Sequence, residues 1–157
     1  MLFTQTAEDP DLRAEDEQGR IWQQGYADGM LHGEVFPDVP PALARWQARR
    51  LPVAIFSSGS VLAQQMLFRT TAFGDLTPAL VAFFDTTTGP KTSPESYRPI
   101  AAALACAPTS LLFISDTPAE LDAASAAGCA VRLCARSTTS AATATNVRII
   151  HSFDDLP

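Results

Sequence analysis

The chain has 157 residues, of which 46% are hydrophobic, and a formal net charge of −6 at pH 7. This length fits one domain that can bury a core, and the acidic balance argues against nucleic acid as a partner, because phosphate backbones are bound by Lys and Arg clusters. No secretory signal follows Met1 and no apolar stretch approaches membrane-spanning length, so a cytoplasmic protein without a membrane partner is expected.

The beginning of the chain is the least regular part. Residues 1–11 are polar and acidic and are expected to form a loose lead-in. Residues 12–31 show apolar side chains at helical spacing, although three glycines weaken the pattern. The aromatic and sulfur side chains at i, i+4 spacing are Trp22, Tyr26 and Met30.

A helix, a strand and a second helix follow. Asp38 is predicted to cap the first helix, which has prolines in its first turn. The apolar segment 52–56 predicts a buried strand that ends in Ser57-Ser58-Gly59-Ser60, and a helix over 61–69 begins at once. Small hydroxyls and a glycine before a helix can bind an anion through backbone N–H groups, although serine is also an ordinary N-cap.

Another strand and helix follow in the middle of the chain. The segment 81–84 predicts a short strand, followed by a polar loop over 85–91. Ser93-Pro94-Glu95 is a typical helix start. Pro99 is expected inside this helix, where a proline removes a backbone donor and costs about 3 kcal/mol unless the turn is kinked.

The most informative stretch is LLFISDTPAELDAASAAG, residues 111–128. Its apolar run predicts a buried parallel strand with Asp116 at the end. Pro118 suits the first turn of the next helix, Glu120 favours the positive end of the helix dipole, and Gly128 suits the position after the helix. A carboxylate after a parallel strand lies where open α/β sheets bind ligands. The alternative is two acids at a helix start with no metal.

The last third of the chain adds two strands. The segment 129–134 predicts a strand whose cysteines are core thiols, and the three cysteines show no metal-ligand spacing. Residues 135–146 predict a surface loop, and 147–150 a last strand. Because strands alternate with helices, the sequence predicts an α/β fold with a doubly wound parallel sheet.

Three strand ends place Ser57, Lys91 and Asp116 along one edge of that sheet. These residues resemble the second, third and fourth motifs of the haloacid dehalogenase-like superfamily. The resemblance implies that the serine and the lysine bind the transferring phosphoryl group, that Asp116 ligates Mg²⁺, and that Glu120 supports the metal shell. The electrostatic logic is that a lysine, a hydroxyl and a divalent cation neutralise charge on phosphoryl oxygens.

The segments between these motifs narrow the resemblance. GRIWQQGYADGMLHGEVFPDVPPALARW (19–46), FSSGSVLAQQMLF (56–68) and GDLTPALVAFFDTTTGPKTSPESY (74–97) are similar to enolase-phosphatases, also called acireductone synthases, of methionine salvage. The resemblance implies a Rossmann-like core and a phosphoric monoester hydrolase that enolises and dephosphorylates 2,3-diketo-5-methylthiopentyl 1-phosphate. It also implies that Ser57, Ser58 and Lys91 contact the substrate.

The beginning of the sequence departs from that family, which opens with a strand ending in Asp-x-Glu-Gly-Thr and a helical cap. No such segment occurs here, so the catalytic aspartate is absent. The expected organisation is a lead-in and cap remnant over 1–35, and a core over 36–157 that lacks its first, central strand. Asp9-Pro10-Asp11 has the spacing of two acids, but polar residues precede it, so a substitute nucleophile is not expected.

Three functions stay open at this point. The first is a Mg²⁺-dependent phosphatase represented by a chain that lacks its beginning, with a small phosphorylated substrate and a monomeric state. The second is a non-catalytic module that binds phosphate. The third is a decayed fragment of another phosphatase of this superfamily.

Overall fold

One parallel sheet organises the protein, which the computed structural model describes over residues 2–3, 32–136 and 147–157. The strands of this part are β1 (Leu2–Phe3), β2 (Ala54–Phe56), β3 (Ala82–Phe84), β4 (Leu112–Ser115), β5 (Ala130–Cys134) and β6 (Ile149–Ile150). All neighbouring strands are parallel, in the order β3-β2-β1-β4-β5-β6. The predicted doubly wound α/β sheet is therefore confirmed.

Helices connect the strands of the described part. The α-helices are α1 (Val39–Ala48), α2 (Val61–Arg69), α3 (Tyr97–Ala103) and α4 (Pro118–Ala126). Short 3₁₀ turns lie at Thr77–Ala79, Pro94–Ser96, Pro108–Ser110 and Phe153–Asp155. Among the described residues, no helix has both the length and the apolar character needed to cross a membrane.

The sheet separates two hydrophobic cores, because successive side chains of a strand point to opposite faces. In β2, Ile55 belongs to one core, and Ala54 and Phe56 belong to the other. The first core contains the buried residues of α1 and Phe68 of α2. The second contains Tyr97 and Ile100 of α3 and the buried apolar residues of α4. The result is a sheet with helices on both faces.

The central position of the sheet is occupied, which corrects the expectation of a missing first strand. The β1 backbone pairs with β2 and with β4, with Phe3 opposite Ile55 on one side and Ile114 on the other. The segment counted as lead-in thus supplies two residues to the sheet. These residues pair with backbone groups of two strands that would otherwise face a gap, and unpaired buried backbone groups are costly.

The predicted place of Pro99 in the interior of a helix is wrong. The 3₁₀ turn Pro94–Ser96 comes first, and α3 begins only at Tyr97. Pro99 therefore lies in the first turn of α3, where a backbone N–H has no acceptor within the helix. The missing donor costs nothing there.

Asp38 stands at the predicted N-cap position of α1, but its side chain makes no capping hydrogen bond. Its carboxylate instead accepts from Arg136 at 2.9 and 3.0 Å, from the Ser152 hydroxyl at 3.0 Å and from the Phe153 backbone N–H at 2.7 Å. Asp38 thus links the start of α1 to the end of the chain.

Some expectations lie outside the described residues. These are the helical pattern over 12–31 with Trp22 and Tyr26, the acids Asp9 and Asp11, and most of the loop predicted over 135–146.

Candidate functional site

The chain order reverses between β1 and β4, since β2 and β3 lie on one side of β1 while β4, β5 and β6 lie on the other. Open α/β sheets bind ligands at this switch point, outside the carboxyl ends of the strands. Ser57 directly follows β2 and Asp116 directly follows β4, and both strands pair with β1. The two predicted site residues therefore lie at the same edge of the sheet, on either side of the switch point.

We call residues Ser57–Ser60 the serine loop. The Ser57 backbone N–H donates to the Phe84 carbonyl oxygen at 3.0 Å, and the Ser57 hydroxyl accepts from the Gly59 N–H at 3.2 Å. Ser60 is the N-cap of α2, and its hydroxyl accepts from the Ala63 N–H at 3.2 Å. Ser60 thus has the ordinary capping role, and Ser57 and the exposed Ser58 lie ahead of it.

The buried side chain of Gln64 holds the serine loop in place, and the sequence analysis did not identify this residue. Its side chain is 5% exposed. The Nε2 group donates to the Gly59 carbonyl at 2.8 Å and to the Phe84 carbonyl at 2.9 Å. The serine loop is therefore tied to the end of β3. Nothing in the sequence distinguishes Gln64 from Gln65, its exposed neighbour in α2.

Asp85, directly after β3, makes a second link to the same region. Its Oδ2 accepts from the Val61 N–H at 3.3 Å, and its Oδ1 accepts from the Thr87 N–H at 3.0 Å. The hydrogen bond from the Thr87 hydroxyl holds the pKa of Asp85 below its usual range, against the opposing effect of burial. Asp85 therefore fastens the first turn of α2 to the loop that leads to Lys91. The sequence signal that could have identified Asp85 is its position directly after the strand β3.

Lys91 and Glu120 form a buried ion pair. The Lys91 Nζ atom lies 2.6 Å from Glu120 Oε1, and the side chains are 14% and 7% exposed. The Ser115 hydroxyl donates to Glu120 Oε2 at 2.8 Å, and the same hydroxyl accepts from the Thr117 N–H at 3.0 Å. Charges in such surroundings are stable only when they are paired and hydrogen-bonded. The structure thus places Lys91 at the edge of the sheet that carries Asp116, with Glu120 on the helix behind it.

Asp116 is the exposed acid of this group. Its Oδ1 accepts from the Thr117 hydroxyl at 3.1 Å. Within the described ranges there is no group of three or more His, Cys, Asp and Glu residues that could hold a metal by itself. A single carboxylate still fits Mg²⁺, which keeps several waters and is held by one or two carboxylates together with substrate phosphate.

Comparison with known proteins places the chain in a family. A family model described as a haloacid dehalogenase-like hydrolase matches residues 3–128. The chain belongs to the haloacid dehalogenase-like hydrolases. The match begins in β1 and ends just after α4, so it includes every predicted site residue: Ser57, Ser58, Lys91, Asp116 and Glu120.

Within this family, the chain is similar to proteins named enolase-phosphatase E1. Enolase-phosphatase E1 of Synechococcus elongatus is 52% identical over 139 residues, which cover 88% of this chain and 58% of the relative. The protein of the same name from Sorangium cellulosum is 56% identical over 111 residues, covering 71% and 48%. The crystal structure of the UTR4 protein from Saccharomyces cerevisiae matches with a TM-score of 0.78 and 32% identity, covering 88% of this chain and 65% of that one. The chain spans about half the length of the curated relatives that it matches.

Proposed function

We propose that this chain forms the phosphate-binding core of a Mg²⁺-dependent phosphatase of the enolase-phosphatase type. The observation that carries this proposal is the buried Lys91–Glu120 pair, 2.6 Å across, at the sheet edge that also presents Ser57 and Asp116. The proposed reaction is enolisation and dephosphorylation of 2,3-diketo-5-methylthiopentyl 1-phosphate in methionine salvage. Its support is the name and the 52% identity of the relative from Synechococcus elongatus.

Lys91 and the two serines would bind the phosphoryl group. The ammonium group of Lys91 has a fixed counter-charge in Glu120, and it can neutralise further charge as it develops on phosphoryl oxygens. The hydroxyls of Ser57 and Ser58 would donate to the same oxygens. Gln64 and Asp85 hold the serine loop and the adjoining helix in place, so the donors need no rearrangement when phosphate arrives.

Asp116 would hold Mg²⁺, because its carboxylate is exposed at the edge of the sheet and carboxylate oxygens are the ligands that this ion prefers. When bound, the ion neutralises charge on phosphoryl oxygens. Both oxygens of Glu120 already have protein donors, Lys91 on one and Ser115 on the other. Glu120 would therefore orient Lys91 and leave the metal to Asp116.

A second candidate function is phosphate binding without turnover. In the sequence, β1 is followed by Thr4, Gln5 and Thr6, none of which is a carboxylate that could attack phosphorus. Without a nucleophile the covalent phospho-enzyme route is closed, and binding is what the remaining groups can provide. For this chain, we expect phosphate and Mg²⁺ to bind and turnover to be negligible.

A pair of measurements separates the two candidates. Phosphate release from the diketo phosphate is followed with Mg²⁺ and with chelator, and binding of inorganic phosphate is followed by calorimetry. Lys91→Met should abolish phosphate binding, while Arg98→Met should not, because Arg98 is an exposed residue paired with Glu95. Mg²⁺-dependent release would establish the enzyme, and binding without release would establish the module. Absence of both would refute the proposed function.

If phosphate release is observed, one more control is needed. Turnover that disappears in Asp11→Asn would show that the Asp9-Pro10-Asp11 segment supplies the nucleophile, contrary to our expectation. Turnover that survives this change and also survives in a mock preparation would come from a contaminant.

A further inference from the structure

The hydroxyl of a buried tyrosine, Tyr97, contacts the backbone carbonyl groups of both Lys91 and Glu120. The Tyr97 hydroxyl lies 2.6 Å from the Lys91 carbonyl oxygen and 3.1 Å from the Glu120 carbonyl oxygen, and it shares its one proton between them. Glu120 lies in α4, and Lys91 lies in the loop ahead of α3. One hydroxyl therefore joins the two segments whose side chains form the ion pair.

The ring of Tyr97 is held as firmly as its hydroxyl. The side chain is 0% exposed. Its ring packs edge to face against Phe113 at 5.0 Å and Phe56 at 5.9 Å, which belong to β4 and β2. These contacts fix the hydroxyl relative to the two strands that flank β1. Burial and then the nearby charge of Glu120 raise the pKa of Tyr97, so that the hydroxyl keeps its proton and remains a donor.

The loop that carries Lys91 packs closely against the 3₁₀ turn Pro94–Ser96, which directly precedes Tyr97. The Ser96 hydroxyl donates to the Pro90 carbonyl oxygen at 2.7 Å, so that consecutive residues, Ser96 and Tyr97, bind consecutive carbonyls. Gly89 has a positive φ of 135°, and a Cβ atom there would lie 2.4 Å from the Ser96 hydroxyl oxygen. The backbone that carries Lys91 thus follows the surface of this turn closely. Of these contacts, the Tyr97 hydroxyl is the one that also reaches the Glu120 segment.

We propose that Tyr97 is a positioning residue, whose hydroxyl fixes the Lys91 ammonium group against Glu120 and towards the phosphate site. The expected effect of Tyr97 on phosphate affinity rests on the proposed function. Its structural part, the effect of Tyr97 on Lys91, stands by itself. Tyr97 makes no proposed contact with substrate, and it acts through the backbone of the two charged residues.

The sequence makes this inference directly measurable, because Lys91 is its only lysine. Protein labelled with ¹³C at the lysine ε carbon gives one side-chain signal without any assignment. The two ε protons of a lysine held in one conformation have different chemical shifts, and motion averages them. We expect two distinct ε-proton shifts in the wild-type protein and a single averaged shift in Tyr97→Phe, which keeps the ring and removes only the hydroxyl.

The affinity for inorganic phosphate should fall in parallel. Tyr97→Phe should weaken phosphate binding by about fivefold, the size expected for the loss of one hydrogen bond. Leu43→Val is the control, because Leu43 is 1% exposed in the core on the other face of the sheet. It should lower the Tm without changing the Lys91 signals or the phosphate affinity.

Each outcome decides one question. Unchanged ε-proton shifts in Tyr97→Phe would overturn the positioning role, and so would an equal change in Leu43→Val. Failure of the wild-type protein to bind phosphate would count against the proposed function instead, and the unliganded spectra would still decide the role of Tyr97. If Tyr97→Phe does not fold, both proteins are compared in trimethylamine N-oxide, which favours the compact state.

Discussion

The Nζ atom of Lys91 lies 2.6 Å from Oε1 of Glu120, and neither side chain is more than 14% exposed. The other Glu120 oxygen accepts from the Ser115 hydroxyl at 2.8 Å. Because solvent screens this pair poorly, removing either charge takes a close counter-charge away from the other, which is still buried. The two residues therefore contribute to stability as a unit.

Glu120→Gln should lower the free energy of unfolding by about 3 kcal/mol, because it removes the buried negative charge that lies 2.6 Å from the Lys91 ammonium group. The measurement is guanidinium chloride unfolding at pH 7. Glu95→Gln is the matched control, since Glu95 pairs with Arg98 at 2.9 Å on the surface, with side chains 71% and 62% exposed. That change should cost less than about 1 kcal/mol.

The double variant Lys91→Met/Glu120→Leu also tests whether Lys91 and Glu120 contribute to stability as a unit. Replacing both charges by apolar groups removes the buried ammonium group together with its Glu120 partner, so the double variant should be more stable than Glu120→Gln alone. If Glu120→Gln costs no more than Glu95→Gln, or if the double variant is the least stable of all, Lys91 and Glu120 do not contribute to stability as a unit.

Asp38 should make stability depend on pH. Burial raises the pKa of Asp38, but the hydrogen bonds from Arg136, Phe153 and Ser152 outweigh burial and hold the pKa below the ordinary value of 3.8. A carboxyl group with a depressed pKa in the folded state stabilises the fold above its unfolded pKa. This contribution is lost as pH falls through the folded pKa.

Asp38→Asn should therefore cost about 2–4 kcal/mol at pH 7. The difference from wild type should shrink as pH falls below about 4, near the unfolded pKa. Unfolding by urea at several pH values measures both proteins. Asp122→Asn, an exposed carboxylate of α4, is the control and should match wild type at every pH. A deficit of Asp38→Asn that stays constant down to pH 2 would mean that the ionised form is not what matters.

The sheet edge could be predicted because its signals are local. Each of the strands β2, β3 and β4 is a short apolar run that ends at Ser or Asp, and such runs predict buried parallel strands. The helix over 61–69 has the predicted bounds because Ser60 is a strong N-cap next to it. From these local signals, Ser57 and Asp116 could be placed at one edge of the sheet by their positions in the sequence.

The remaining features depend on partners distant in the sequence or on segments too short for a pattern. The two residues of β1 are too few to show periodicity, so the central strand was missed. Asp38 is a good N-cap residue by local rules, and only the fold brings Arg136 and Ser152 to its carboxylate. Gln64 likewise finds acceptors in Gly59 and Phe84 only after β2 and β3 have paired.

Gln64→Met should destabilise the serine loop. The thioether fills a similar volume but donates no hydrogen bond, so the Gly59 carbonyl loses its Gln64 donor in a buried place. We expect a loss of about 2 kcal/mol in unfolding free energy. Faster amide hydrogen exchange is expected at Gly59 and Val61 than in wild type. Gln65→Met, exposed on the same helix, should change neither quantity. Equal exchange rates in the two variants would show that Gln64 does not hold the loop.

Asp116→Asn should weaken Mg²⁺ binding more than any other single change in the described part of the site. Asp116 is exposed at the end of β4, whereas Glu120 is buried and its two oxygens are held by Lys91 and Ser115. The expected loss is about tenfold or more in Mg²⁺ affinity, because the amide keeps a carbonyl oxygen but lacks the charge that the hard ion prefers. Calorimetric titration with Mg²⁺ in the presence of inorganic phosphate measures it. Asp122→Asn, also an exposed acid in this part of the chain, should bind like wild type. A greater loss in Glu120→Gln than in Asp116→Asn would make Glu120 the metal ligand and reverse the assignment of the two acids.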